Sequence, residues 1–288
     1  MTKLDCIPCL LTHALKTIRK SGLTEELENK LFTRAFEESK ILLDGAPAPV
    51  AAEAIYRSLA EITGVSDPFR DFKVESTETA LKALPRLREA VSNSEWPFRK
   101  AVELSIAGNA IDLVKMDEKE LNSIVNWLGE NEFDFPETKT ISRLEKDIHS
   151  AKSVFFIGDN AGETVFDRLI LEQIQNTTIY YGVRGGPVLN DATALEAEES
   201  GICDYAELVS SESSIPGTML DSVGERFIEL FNTADIVIAK GQGNLETLDQ
   251  APRAIYHLFK AKCKPIAQLV GREVGDFVIW RNSPISAT

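Results

Sequence analysis

Three short polar runs in the second half of the chain carry residue types that do chemistry together. Asp159-Asn160-Ala161-Gly162-Glu163 follows the apolar run Ser153-Val-Phe-Phe-Ile157 and precedes a helix-like stretch, Thr164 to Gln173. Asn190-Asp191 follows Arg184-Gly185-Gly186-Pro187, and Lys240-Gly241-Gln242-Gly243-Asn244 follows Asp235-Ile-Val-Ile-Ala239. A hard divalent cation such as Mg²⁺ or Mn²⁺ wants two or three fixed oxygens and open positions for water and substrate. Asp159, Asn160 and Asp191 offer those oxygens from two neighbouring loops. A phosphoryl group in transfer wants positive charge on its oxygens, which Lys240 and Arg184 offer. Glycine-rich turns and helix starts add backbone N–H groups that suit an anion. Metal and phosphate at one point indicate phosphoryl chemistry.

Each run also has a plain structural role. Asp191 is a good N-cap for the next helix, and Asp159-Asn160 is an ordinary turn pair. Gly241-x-Gly243 lacks the third glycine of a dinucleotide fingerprint. Lys240 is the least ordinary of the set, because a charge ending an apolar strand must be solvated or paired.

The elements that would position these residues divide the chain in two. From Cys9 to about Ile148 the apolar residues recur with helical period: Leu10, Leu11, Ala14, Leu15 and Ile18, then Leu27, Leu31, Ala35 and Phe36, then Val50, Ala54, Ile55, Leu59 and Ile62. From Ile141 onward short β-branched runs alternate with helices. Strands are expected at 153–157, 178–183, 206–209, 236–239, 266–269 and 277–280, with helices between most of them. That alternation predicts an α/β fold: a three-layer α/β/α domain on a mostly parallel sheet, at residues 141–288, beside an all-helical region at 1–140. Polar residues at the carboxyl ends of parallel strands sit where such sheets bind ligands.

Composition narrows the function. The 288 residues carry a net charge of −14, which argues against a nucleic-acid partner. No apolar run is long enough to span a membrane, and the N-terminus lacks the apolar stretch of a signal peptide. Four cysteines are too few for a disulfide framework and fit a reducing cytoplasm.

The three runs, in this order and spacing, resemble the domain-of-unknown-function-89 family, also called the damage-control phosphatases. Asp67-Pro68-Phe69 with Lys73, and Ala107-Gly-Asn-x-Ile-Asp112, resemble further pieces of it, and Cys6-x-x-Cys9 is similar to its compact archaeal and bacterial branch. The resemblance implies metal-dependent hydrolysis of phosphate monoesters with Mg²⁺, Mn²⁺, Co²⁺ or Ni²⁺, on sugar phosphates or phosphopantetheine-like and damaged metabolites. It implies that Asp159, Asn160 and Asp191 hold the metal, that Lys240 and Asn244 hold phosphate, and that Glu163 lines the site. Asn109 and Asp112 would face the pocket from the helical side. A carboxyl methyltransferase using S-adenosylmethionine is the enzymatic alternative, disfavoured because no Gly-x-Gly-x-x-Gly loop follows the first strand. A non-catalytic metabolite-binding module is the other.

Cys6, Cys9 and His13 form C-x2-C-x3-H at the expected start of a helix. Three readings stand: a metal site with an unassigned fourth ligand, a redox pair, or simply two half-buried thiols.

Overall fold

The computed structural model describes residues 4–20, 22–109, 118–130 and 138–282. Its centre is a six-stranded sheet in the order β3-β2-β1-β4-β5-β6. The strands are β1 (Ser153–Ile157), β2 (Thr178–Val183), β3 (Glu207–Ser210), β4 (Ile236–Lys240), β5 (Tyr256–Lys260) and β6 (Phe277–Arg281). The first five run parallel, and β6 closes one edge antiparallel to β5. The chain moves outward from β1 to β2 and β3, then returns to lay β4 on the other side of β1. The loops after β1 and β4 therefore part at a switch point, which opens a crevice at the carboxyl ends of these two strands.

One expected strand changes. Ile266–Leu269 lies in a helix, Lys264–Val270, that starts with Pro265 in its first turn. A four-residue apolar run has no period of its own, and the proline marks a helix start. The strand is supplied instead by Tyr256–Lys260, whose His257 and Lys260 hide the apolar signal.

Helices cover both faces. On one face α4 (Arg70–Ser92), α5 (Pro97–Gly108), α6 (Glu118–Glu130), α7 (Thr138–Ser150) and α8 (Glu163–Leu171) share one core with Val154, Phe156, Tyr181 and Ile238. On the other, α10 (Glu225–Thr233) packs Phe227 and Phe231 against Phe155 and Val237. Two short helices, α9 (Ala194–Glu199) and α11 (Gln242–Leu248), follow β2 and β4 directly, and α12 (Lys264–Val270) follows β5. One core takes residues from both sides of position 140, Leu128 and Ile141 among them. The elements that stand apart are α1 (Cys6–Lys20), α2 (Glu25–Ser39) and α3 (Ala48–Thr63), which enclose their own cluster around Leu31, Ala35, Ala51 and Leu59. Their buried link to the α/β part is Val188, in the loop that carries Asp191. Among the described residues no helix is long and apolar enough to cross a membrane.

Candidate active site

α8 positions the first polar run. All nine of its residues are buried, and Glu163 and Asp167 lie one turn apart, so both point to the same side. The turn before it needs Gly162, with φ 78° and the backbone of Ser76 close by. Gly241, with φ 79°, is required more strongly, since a Cβ there would fall on the Asp159 carboxylate. The two strand-end loops meet at that point.

Backbone pairing then fixes the loops to each other. Ala161 N–H donates to Asn190 O and Ala192 N–H to Asp159 O, both at 2.8 Å, and Asn160 pairs with Asp191. The side chains form a continuous network. Asn109, the C-cap of α5, donates to Asp159 Oδ2 at 3.1 Å and to Glu163 Oε2 at 2.9 Å. Asn160 donates to the same two carboxylates, at 2.9 and 2.6 Å. Arg184 donates from Nε to Asp191 at 2.7 Å and from its terminal nitrogen to Asn244 at 3.2 Å, and lies 3.9 Å from Asp159.

Three carboxylates thus share a buried site with little compensating charge. Burial, then the Asp159 charge, pushes Glu163 up to about 7. Burial pushes Asp191 up to about 7 as well, with Asp159 adding to the rise and Arg184 opposing it. The side-chain amide oxygen of Asn109 is buried beside them with no hydrogen-bond partner among the described residues. An unpartnered oxygen among under-compensated carboxylates fits a hard cation. Among the described residues no three His, Cys, Asp or Glu side chains converge to hold an ion by themselves. The residues that could hold such an ion are the carboxylates Asp159 and Asp191 and the amide oxygen of Asn160. Mg²⁺ binds in that way, through one or two carboxylates and several waters.

The expected residues fall into two groups. Asp159, Asn160 and Asp191 line a cavity of about 380 Å³. Glu163, Arg184, Asn109, Lys240 and Asn244 stand behind its wall. Lys240 is fully buried, and its ammonium donates to Asp167, to Ser105 Oγ at 2.8 Å and to Ser105 O at 3.0 Å, with Glu163 at 3.8 Å. All three of its protons are used. Asn244 is also fully buried. It donates to Gly158 O and Lys240 O and accepts from Arg184 and Thr218, so it clamps three loops together. Asp112 lies outside the described residues.

Sequence reasoning missed several members. Asp167 anchors Lys240 and accepts from Ser105 and Tyr181, each at 2.7 Å. Its signal was an acidic residue inside the apolar run Val165-Phe-Asp-Arg-Leu-Ile-Leu171, one turn after Glu163. Lys262 faces the cavity and lowers both Glu163 and Asp191. No spacing pattern pointed to it. The opposite wall comes from α1 and α3, with Cys6, Cys9, Leu10, Ala52 and Tyr56. His13 is held by Tyr56, whose hydroxyl lies 2.5 Å from Nδ1, so the ring is engaged within the helical unit.

Comparison with known proteins agrees with this architecture. The profile of the Damage-control phosphatase ARMT1-like domain matches residues 2–278. An uncharacterized protein of Methanocaldococcus jannaschii is 32% identical over 97% of this chain and 95% of its own length. A protein of Archaeoglobus fulgidus named a damage-control phosphatase is 31% identical over 95% of this chain and 96% of its own. A crystal structure of a domain-of-unknown-function-89 family protein from Pyrococcus horikoshii superposes with a TM-score of 0.88 at 29% identity, covering 98% of this chain and all of that one.

Proposed function

Since this chain belongs to the damage-control phosphatase ARMT1-like family, we propose that it is a metal-dependent phosphatase that hydrolyses the phosphate monoester of a small, damaged or surplus cytoplasmic metabolite. The observation that carries the reading is the buried trio Asp159, Glu163 and Asp191 at the switch point of the sheet, beside the Asn109 side-chain oxygen that has no partner among the described residues. A divalent cation held by Asp159, Asn160 and Asp191 would polarise the phosphoryl group and activate water.

The protein's own groups have separable tasks. Lys262, exposed on the cavity wall, meets the phosphoryl oxygens. Lys240 adds positive charge from behind, through Glu163. Arg184 holds Asp191 at the cleft while its second bond ties it to Asn244. Glu163, raised to about 7 by burial and the Asp159 charge, stands behind the wall as a carboxyl that can hold a proton near neutral pH beside Asp159. The hydroxyl-bearing part of the substrate, a sugar or a pantetheine-like chain, lies against α1 and α3.

A panel of phosphate monoesters tests this. Inorganic phosphate should be released with Mg²⁺, Mn²⁺, Co²⁺ or Ni²⁺ and not with EDTA, and metal should restore the wild type but not Asp159→Ala. Methyl transfer from S-adenosylmethionine without phosphate release would favour the rival enzyme. Binding without turnover would favour a sensor module.

A further inference from the structure

Three of the four cysteines line the same cavity as Asp159 and Asp191, and the proposed hydrolysis uses none of them. Cys6 and Cys9 come from α1, and Cys263 caps α12 on the facing wall, where its sulfur accepts from Gln242 Nε2 at 3.5 Å. All are free thiols. Their spacing in Cys6-Ile-Pro-Cys9 is that of a dithiol at the start of a helix, since Cys6 is the first residue of α1.

We propose that Cys6 and Cys9 are a modification site at the mouth of the cleft, oxidised to an intrachain disulfide by a small-molecule disulfide such as oxidised glutathione. Cys9 is exposed and is the point of entry. Its sulfur, having lost its proton, attacks the small disulfide, forms a mixed disulfide and expels one small thiolate, which takes up a proton. Cys6, half-buried on the same helix face, then attacks the Cys9 sulfur and releases the second small thiol. Two cysteine thiols are oxidised and one small disulfide is reduced to two thiols.

The geometry supports the pair. Side chains three apart on a helix have Cβ atoms about 5–6 Å apart, and a disulfide needs about 3.5–4.5 Å. Closing the bond therefore tightens the first turn of α1 by roughly 1–2 Å. That turn leads into Leu10, on the cavity wall. The Cys6 sulfur lies close enough to Cys9 and Cys263 to raise each thiol. Burial, Cys6 and Glu246 together hold Cys9 above the ordinary thiol range, so the exchange runs slowly at neutral pH and speeds up as pH rises. His13 is engaged with Tyr56, and no three metal-binding side chains converge among the described residues, so the structure favours the dithiol over the metal reading.

The chemistry stands independently of the proposed phosphatase reaction, and its effect on turnover rests on it. The full chain, incubated with oxidised glutathione, should fall from four titratable thiols to two. Peptide mapping should find the Cys6–Cys9 peptide lighter by two hydrogens, with Cys203 and Cys263 free. Phosphate release should drop about ten- to a hundred-fold, because a 1 Å misplacement in a site costs up to that much, and dithiothreitol should restore it. In Cys9→Ser the ratio of treated to untreated activity should be close to one, while Cys263→Ser should respond like the wild type. Four surviving thiols, a stable glutathione adduct on Cys9, or a bond from Cys6 to Cys263 would overturn the assignment of the pair. A mapped Cys6–Cys9 bond with unchanged turnover would overturn its effect on the cleft. A reduced protein that releases no phosphate from any ester would count against the phosphatase reading, and the mapping would still decide the dithiol.

Discussion

The two walls of the cleft are built on different physical principles. The α/β wall is a buried polar lattice. Asp159, Glu163, Asp191, Arg184, Lys240, Asn244 and Asp167 are each less than 10% exposed, and nearly every donor and acceptor is used. The facing wall, from α1 and α3, is apolar and thiol-bearing and encloses a small core of its own. The first wall can hold charges in fixed places because the sheet and α8 leave the side chains no alternative. The second places no charge, so its shape bears on how a substrate is seated and not on the electrostatics. Chemistry that needs preorganised electrostatics belongs on the first, and the fit to the rest of a substrate on the second.

The largest test of this contrast is the buried pair behind the lattice. Asp167→Ala should destabilise the protein by about 3–5 kcal/mol, because it leaves the Lys240 ammonium buried and uncompensated. Denaturant unfolding measures this. Replacing both partners, Asp167→Leu with Lys240→Met, should recover most of the stability and none of the phosphate release. Recovery of both would mean that the pair serves only packing.

Acid should also attack the α/β side first. His257 on β5 is fully buried, neither ring nitrogen has a partner among the described residues, and burial lowers it to about 3. Its folded pKa lies below its ordinary 6.5, so the unfolded chain binds the extra proton. The stability it contributes is complete above pH 6.5 and is lost progressively as pH falls toward 3. By pH 4 the loss should be roughly 3 kcal/mol. A thermal-melt series from pH 7 to 4 in wild type and His257→Phe checks it: the variant's slope should be flatter.

Within the lattice, function and stability should separate. Asp159→Ala should reduce metal-dependent turnover by at least about a hundred-fold, or ~2.7 kcal/mol. Yet its charge raises both Glu163 and Asp191. Removing it relieves that repulsion, and the melting temperature should stay level or rise. A clear fall in Tm would show that Asp159 holds the loops together and is not simply a crowded ligand.

The polar ends of β1, β2 and β4 were readable because an apolar strand that stops at Asp, Arg or Lys exposes them by period alone. Asp159, Asn160 and Asp191 do reach the cavity. Lys240 and Asn244 were readable as special residues, but their positions were not. Whether a strand-end lysine points into a cleft or back toward a helix depends on Asp167 and Ser105, which are 73 and 135 residues away. β5 was invisible because its His and Lys break the apolar run, and the helix at 264–270 was too short to show a period. The apolar wall was legible as helices, but which faces of α1 and α3 turn toward Asp159 is a tertiary fact.

The smallest effect belongs to that second wall. Tyr56 is buried in α3, and its hydroxyl meets His13 at 2.5 Å and Thr17 at 3.3 Å. These bonds tie α3 to α1 without touching the lattice. Burial pushes the phenol up to about 12, so it stays neutral throughout the working range and acts only as a hydrogen-bonding hinge pin. Tyr56→Phe keeps the ring that packs edge-on against Phe69 and removes only the hydroxyl. The loss should be about 1 kcal/mol, and it should fall on the helical unit. Hydrogen exchange should quicken in α1 and α3 while β1, β4 and α8 keep their protection. Metal affinity should not change, and KM should change more than kcat, because Tyr56 lines the cavity from α3 and makes no bond to the carboxylates. Equal loss of protection in the sheet would mean that the two walls fold and move as one, and the division of labour between them would have to be abandoned.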